Sequence, residues 1–159
     1  MTSLSARKGI CVMEKINVYT VKQVKEKTID YLDDITVNSP EDAYTLFKRV
    51  FDLQNKTKEH FVMACLNTKN KVVGLHVIHI GAINVSLVSP RDVFQSALLN
   101  NAKGIIVAHN HPSGDPDPSP EDIEVTKRLI KAGNILEIDV LDHIIVGDHY
   151  VSLRERGDM

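Results

Sequence analysis

Gly104-Ile105-Ile106-Val107-Ala108-His109-Asn110-His111 decides the reading of this chain. An apolar run with no polar side chain leads into a His-x-His pair. Such a run marks a strand covered on both faces. Side chains two apart on a strand leave on the same side, so the imidazoles of His109 and His111 can reach one point in space. Pro112-Ser113-Gly114-Asp115 follows, and then Ser119-Pro120-Glu121-Asp122, which reads as the start of a helix. Four of the six prolines lie between 112 and 120. They limit backbone freedom, so the bridge is stiff and can hold its two ends at one geometry. A carboxylate from Asp122 would complete three ligands and leave a fourth position open. That is the arrangement of a catalytic zinc rather than a structural one.

Outward from this stretch, strand and helix signals alternate. Phe61–Leu66 reads as a strand, with a turn at Asn67–Lys71. Val72–Ile83 reads as one or two strands broken near Gly81. Helices are predicted from Ser39 to about Leu53, from Ser89 to about Asn100-Asn101, and from Ser119 through Ile130 to Gly133. Ala43, Leu46, Phe47, Val50 and Phe51 make one apolar stripe on the first of these. Ile138–Val146 and Tyr150–Leu153 finish the sheet. Lys15–Lys25 is rich in β-branched residues and predicts a strand or hairpin arm, after a loose start over residues 1–13. The alternation gives an α/β class, a mixed β-sheet flanked by helices.

The motif Ser-Pro-x-Asp occurs three times, at 39, 89 and 119, and each copy opens a predicted helix. Ser is a good N-cap, Pro suits the first helical position, and Asp in the first turn meets the positive end of the helix dipole. Ser119 and Asp122 therefore have a sufficient local role as capping residues. Only this third copy follows a histidine pair through a short loop, and that context adds a ligand role to Asp122. The two roles are compatible, because a fixed helix start is a rigid mount.

The chain has 159 residues, 43% hydrophobic and 25% charged, with a formal net charge of −2. This suits a soluble globular domain. No overall basic field would draw it onto nucleic acid or an anionic membrane. Cys11 and Cys65 do not make a disulfide framework. No apolar run has the length of a signal peptide core or a membrane span, so a cytoplasmic location is expected.

His109-x-His111, seven residues, Ser119, two residues and Asp122 resemble the signature of the JAMM (MPN+) metalloproteases. Ala108–Pro116, Glu121-Asp122-Ile123 and Leu141–Gly147 resemble, more narrowly, its bacterial RadC-like branch. The likeness covers roughly residues 39–159, leaving residues 1–38 as an N-terminal extension. It implies the JAB/MPN architecture, which is cytidine-deaminase-like. It also implies Zn²⁺ on His109, His111 and Asp122, with a water as fourth ligand. By the same resemblance Glu59, in Glu59-His60-Phe61, is the general base. Spacing alone does not choose it over Glu14, Glu26 or Glu41. Ser119 would hydrogen-bond the oxyanion. The implied reaction is hydrolysis of an amide or isopeptide bond in a protein or peptide substrate. Full-length RadC-like proteins also carry an N-terminal helix-hairpin-helix-like region, for which residues 1–38 are too short and too strand-like.

Two other readings compete. A DNA repair or recombination role follows from the family's traditional label, but the charge does not support it. The lysines and arginines at 56, 58, 69, 71, 127, 128 and 131 read as solvated faces. A catalytically silent interaction module on the same fold is the other, against which the intact motif argues. A zinc deaminase would need His-x-Glu with Pro-Cys-x-x-Cys, which this chain does not contain. A two-His-one-carboxylate iron site uses the same ligand types. His60, His76, His79 and His149 read as structural, His143 as structural or as a neighbour of the metal ligands. Asp115 and Asp117 read as turn-formers.

Overall fold

A computed structural model of the chain describes residues 18–20, 22–28, 35–83 and 87–159. The elements run α1 (Pro40–Phe51), a 3₁₀ turn (Leu53–Asn55), β1 (His60–Leu66), β2 (Val72–Ile80), α2 (Pro90–Leu99), β3 (Gly104–Asn110), α3 (Pro120–Leu136), β4 (Asp139–Val146), β5 (Tyr150–Ser152) and α4 (Leu153–Arg156). The strands form one mixed sheet in the order β2-β1-β3-β4-β5. Among the described residues only β3 and β4 pair in parallel, and α3 is their crossover; the other strand pairs are antiparallel.

The apolar runs of β1 and β3 are buried on both faces, as their composition requires. Phe61, Met63, Cys65, Ile105 and Val107 face α2 and α3, packing on Val93, Phe94, Ala97, Val125 and Leu129. Val62, Ala64, Leu66, Ile106 and Ala108 face α1, packing on Ala43, Leu46 and Phe47 and on Leu53 of the 3₁₀ turn. Each large apolar side chain buried in these layers contributes roughly 1.5–3 kcal/mol of transfer free energy. Cys65 belongs to this core, and burial pushes its thiol up to about 12.

The alternation and most boundaries match the sequence reading, including the break near Gly81 (φ +123°), before which the strand after the Asn67 turn ends at Ile80. Three places differ. Helix α3 does not stop at Gly133 but continues to Leu136, closed by Glu137 at φ 57°. Gly133 serves close packing instead: a Cβ there would lie 2.4 Å from the Ile138 carbonyl oxygen. The last strand ends at Ser152, and Leu153 begins α4, capped by the Ser152 side chain. Within Lys15–Lys25, the described residues 18–20 and 22–25 lie in no strand. Val18, Tyr19 and Val24 are largely exposed. β-Branched composition alone does not make a strand without a surface to pack on. Residues 15–17 and 21 of this arm, the loose start at 1–13, and Cys11 lie outside the described residues.

Candidate metal centre

The site sits at the carboxyl end of β3, where the chain crosses to α3. His109 lies in the strand on the same face as Ile105 and Val107, and therefore points at α3. Its imidazole is fully buried. His111 follows just beyond the strand end. It is held by its own N–H donating to the Val146 carbonyl (2.8 Å). Asp122, 2% exposed, sits in the first turn of α3. The three groups converge. His109 Nε2 is 3.0 Å from His111 Nε2 and 3.1 Å from Asp122 Oδ1, and His111 Nε2 is 3.4 Å from Asp122 Oδ2. One ligand atom from each residue lies within 4.8 Å of the others, so the three could hold a metal ion.

The donor chemistry suits one. His111 Nδ1 is 2.7 Å from the Asp115 carbonyl oxygen. A carbonyl only accepts, so Nδ1 carries the proton and Nε2 presents its lone pair to Asp122. An imidazole lone pair and a carboxylate facing each other at this distance call for a positive charge between them, a metal ion or a proton on His111. In keeping with this, the hydrogen bond to Asp122 raises the His111 pKa; burial opposes it, and the Asp115 carbonyl and the charges of Asp122 and Glu59 add to the rise. Burial works against the Asp122 anion, yet hydrogen bonds from His109 and His111 hold its carboxyl far below the usual carboxylate range. Two imidazole nitrogens and a carboxylate oxygen are a common zinc donor set.

The mount around these donors is rigid. Ser119 caps α3 in a reciprocal box: Asp122 N–H donates to Ser119 Oγ (3.1 Å), and Ser119 N–H donates to Asp122 Oδ2 (2.8 Å). The Ser119 hydroxyl also donates to Asp122 Oδ2 (2.6 Å), so its proton is engaged on that carboxylate. In the connecting loop, Gly114 (φ +88°) accepts from Asp148 N–H (2.7 Å). Its carbonyl oxygen lies where a Cβ on Gly147 would fall, 2.2 Å away. Asp115 Oδ1 accepts from Asp117 N–H, the expected turn, and Asp117 pairs with Arg156.

Strand pairing brings Glu59 close enough for its charge to act on His111. β1 runs antiparallel to β3 with Phe61 opposite His109, so the residue before β1 lies beside the carboxyl end of β3. The Ile83 N–H donates to Glu59 Oε2 (2.7 Å), which orients the carboxylate. A cleft of about 390 Å³ opens beside His111, walled by Pro112, Ser113, Gly114 and Asp148 and by Tyr44 and Lys48 of α1.

The sequence reading missed two residues and undervalued a third. Asn110, between the histidines, points to the opposite face. Its side chain accepts from His60 N–H (2.8 Å) and donates to the Lys56 and Lys58 carbonyls, clamping the segment that carries Glu59. Its position on the strand was a usable signal, since alternation aims it away from its neighbours. Thr126 and His143 are fully buried behind His109. His143 Nε2 is 2.8 Å from His109 Nδ1, and Thr126 Oγ1 is 2.6 Å from both His143 Nδ1 and the Asp122 carbonyl oxygen. Burial holds the His143 pKa well below its ordinary value, and the nearby His109 adds to the effect. Of the remaining histidines, His76 Nε2 meets Asn100 Nδ2 at 2.7 Å, and His60 Nδ1 meets the Lys58 carbonyl. His79 does not fit the satisfied role expected of it: its Nε2 is buried without a hydrogen-bond partner among the described residues.

The family profile of the RadC-like JAB domain matches residues 37–158. The chain is 51% identical over 126 residues to a UPF0758 protein of Caldanaerobacter subterraneus subsp. tengcongensis, covering 79% of this chain and 53% of that one. It is 51% identical over 130 residues to a UPF0758 protein of Bacillus cereus, covering 81% of this chain and 57% of that one. The chain thus spans little more than half the length of these curated relatives. Among the described residues no helix is long and apolar enough to cross a membrane.

Proposed function

The chain belongs to the RadC-like JAB domain family, and from that premise we propose that it is a zinc-dependent hydrolase, a metallopeptidase or isopeptidase. One observation carries the reading: two imidazoles and a carboxylate converge, His111 of the three borders a cleft, and the charge of an oriented glutamate, Glu59, acts on that same ring. In this reading His109, His111 and Asp122 hold Zn²⁺. The bound ion supplies acidification of a water toward neutrality and polarisation of a carbonyl.

The chain's own groups do the rest. Glu59 takes a proton from the attacking water and delivers it to the leaving amine. Its tether to Ile83 keeps the carboxylate aimed during both transfers. The Ser119 hydroxyl turns from Asp122 Oδ2 to the developing oxyanion, while the Ser119 N–H stays on Oδ2 and keeps the ligand in place. The cleft beside His111 takes the chain of a protein or peptide substrate. A net charge of −2 favours such a partner over nucleic acid.

The test is metal analysis of protein purified without chelator or polyhistidine tag, beside Glu59→Gln. Both should carry stoichiometric zinc. The wild type should hydrolyse members of a peptide and isopeptide panel, and Glu59→Gln should fall by about 10²–10⁴-fold. A protein that refuses added Zn²⁺ at neutral pH overturns the proposal. So does a Glu59→Gln variant as active as the wild type.

A further inference from the structure

We propose that His143 and Thr126 act as positioning residues that lock the tautomer of His109, so that its Nε2 always offers a lone pair to the metal. The inference rests on reading His109, His111 and Asp122 as the metal ligands, and it goes beyond that reading by naming what keeps one of them competent.

The argument is proton counting along one buried chain of contacts. The Asp122 carbonyl oxygen can only accept. Thr126 Oγ1, 2.6 Å away, must therefore place its single proton there. That leaves Thr126 Oγ1 as the acceptor in its 2.6 Å contact with His143 Nδ1, so Nδ1 carries a proton. A neutral His143 protonated at Nδ1 has a lone pair on Nε2. The 2.8 Å contact from His143 Nε2 to His109 Nδ1 then requires the proton on His109 Nδ1. Nδ1 is thereby committed to a proton, so His109 Nε2, facing His111 and Asp122, is the nitrogen left to offer a lone pair when a metal ion takes the place of the proton shared with Asp122. From the Asp122 carbonyl to His109 Nδ1, each proton is assigned by a neighbour that can only accept.

The route has a further consequence. It begins at the main chain of Asp122 and ends at an imidazole facing the Asp122 carboxylate. The helix that supplies one ligand thus sets the protonation of another. His111 is treated differently, through a single bond to the Asp115 carbonyl. The ring planes are also held: Phe61 stacks on His109 (centroids 6.2 Å apart, 13° between planes) and meets His143 edge-on at 5.4 Å.

The experiment is long-range ¹⁵N NMR of histidine-labelled, metal-free protein above neutral pH, paired with zinc affinity by chelator competition. In the wild type, His109 and His143 should both be protonated at Nδ1. Thr126→Val should turn His109 into a tautomer mixture and weaken zinc by about 10- to 100-fold, the range for outer partners of metal ligands. Thr126→Ser, which keeps the hydroxyl, should restore both. A wild-type His109 with no proton on Nδ1 overturns the lock, and this needs no variant to fold. So does a folded Thr126→Val with unchanged tautomer and affinity. Should the wild type bind no zinc, the metal reading fails on its own, and the tautomers of the metal-free protein still decide the lock.

Discussion

Ser39-Pro40-Glu41-Asp42 and Ser119-Pro120-Glu121-Asp122 are the same tetrapeptide, and they fold the same way. Each starts a helix with Pro in the first turn and closes a reciprocal box between serine and aspartate. The Asp N–H to Ser Oγ distance is 3.1 Å in both. Around α1 the box faces water. Its carboxylate takes N–H bonds from Asn38 and Ser39, and those bonds lower the Asp42 pKa, that of Asn38 most. Around α3 the same box is buried, and its carboxylate also faces two histidines delivered by β3. Local sequence makes the cap. Sheet topology brings the second cap to two imidazoles, because α3 follows the strand that ends in His109-Asn110-His111.

The largest effect that could break this comparison is on metal binding. Asp122→Ala should weaken zinc by more than the roughly 100-fold seen for outer partners of a ligand, measured by chelator competition. Asp42→Ala should leave zinc affinity unchanged. Tight zinc in Asp122→Ala would mean that the two boxes are equivalent and the site lies elsewhere. The serines should separate next. Loss of an oxyanion donor costs about 10²–10³ in kcat, so Ser119→Ala should show that loss on a peptide substrate while Ser39→Ala turns over normally.

How much of this was legible in the sequence follows from which contacts are local. The caps, the apolar runs and the convergence of His109 and His111 depend on residues close in the chain, and periodicity exposes them. Asp122 was legible because the loop before it is short and rich in proline. Glu59 was not, since nothing near it in sequence tells it from Glu14, Glu26 or Glu41; it was named through family resemblance. What brings it to the site is the pairing of β1 with β3, a contact between segments some fifty residues apart. Thr126 was hidden, and His143 was left between two readings, for the same reason. Their meeting requires β4 to pair in parallel beside β3, placing His143 opposite Val107, and α3 to lie over both. Gly133 misled the helix boundary because a glycine needed for close packing looks like one that ends a helix.

A titration sharpens the comparison further. His111 has its pKa raised from 6.5, chiefly by Asp122. A raised value means that its contribution to stability is present in full below the ordinary 6.5 and is lost as pH climbs through the folded value. Zinc must displace that proton, so affinity should fall as pH drops through the same range. In metal-free Asp122→Asn, the NMR titration of His111 should move back toward 6.5, and Asp42→Asn should leave it in place. An unmoved His111 in Asp122→Asn would mean the carboxylate and the ring are not coupled.

The smallest expected difference is in stability, and it isolates what the two boxes share. Ser39→Ala removes one cap from an exposed helix start, which costs about 1 kcal/mol. For a chain of this size that is roughly 2–4 °C in Tm. Ser119→Ala removes the same cap and also the O–H donated to a buried carboxylate. A buried charged group left short of a partner costs more than a neutral one, on the order of 1–3 kcal/mol in addition. Both should be measured without metal, because bound zinc stabilises the folded state by mass action and would mask the gap. Equal losses would mean that the buried box carries no more than its exposed twin. A larger loss at Ser119 would show that the same four residues hold more where the tertiary structure has placed a charge in their care.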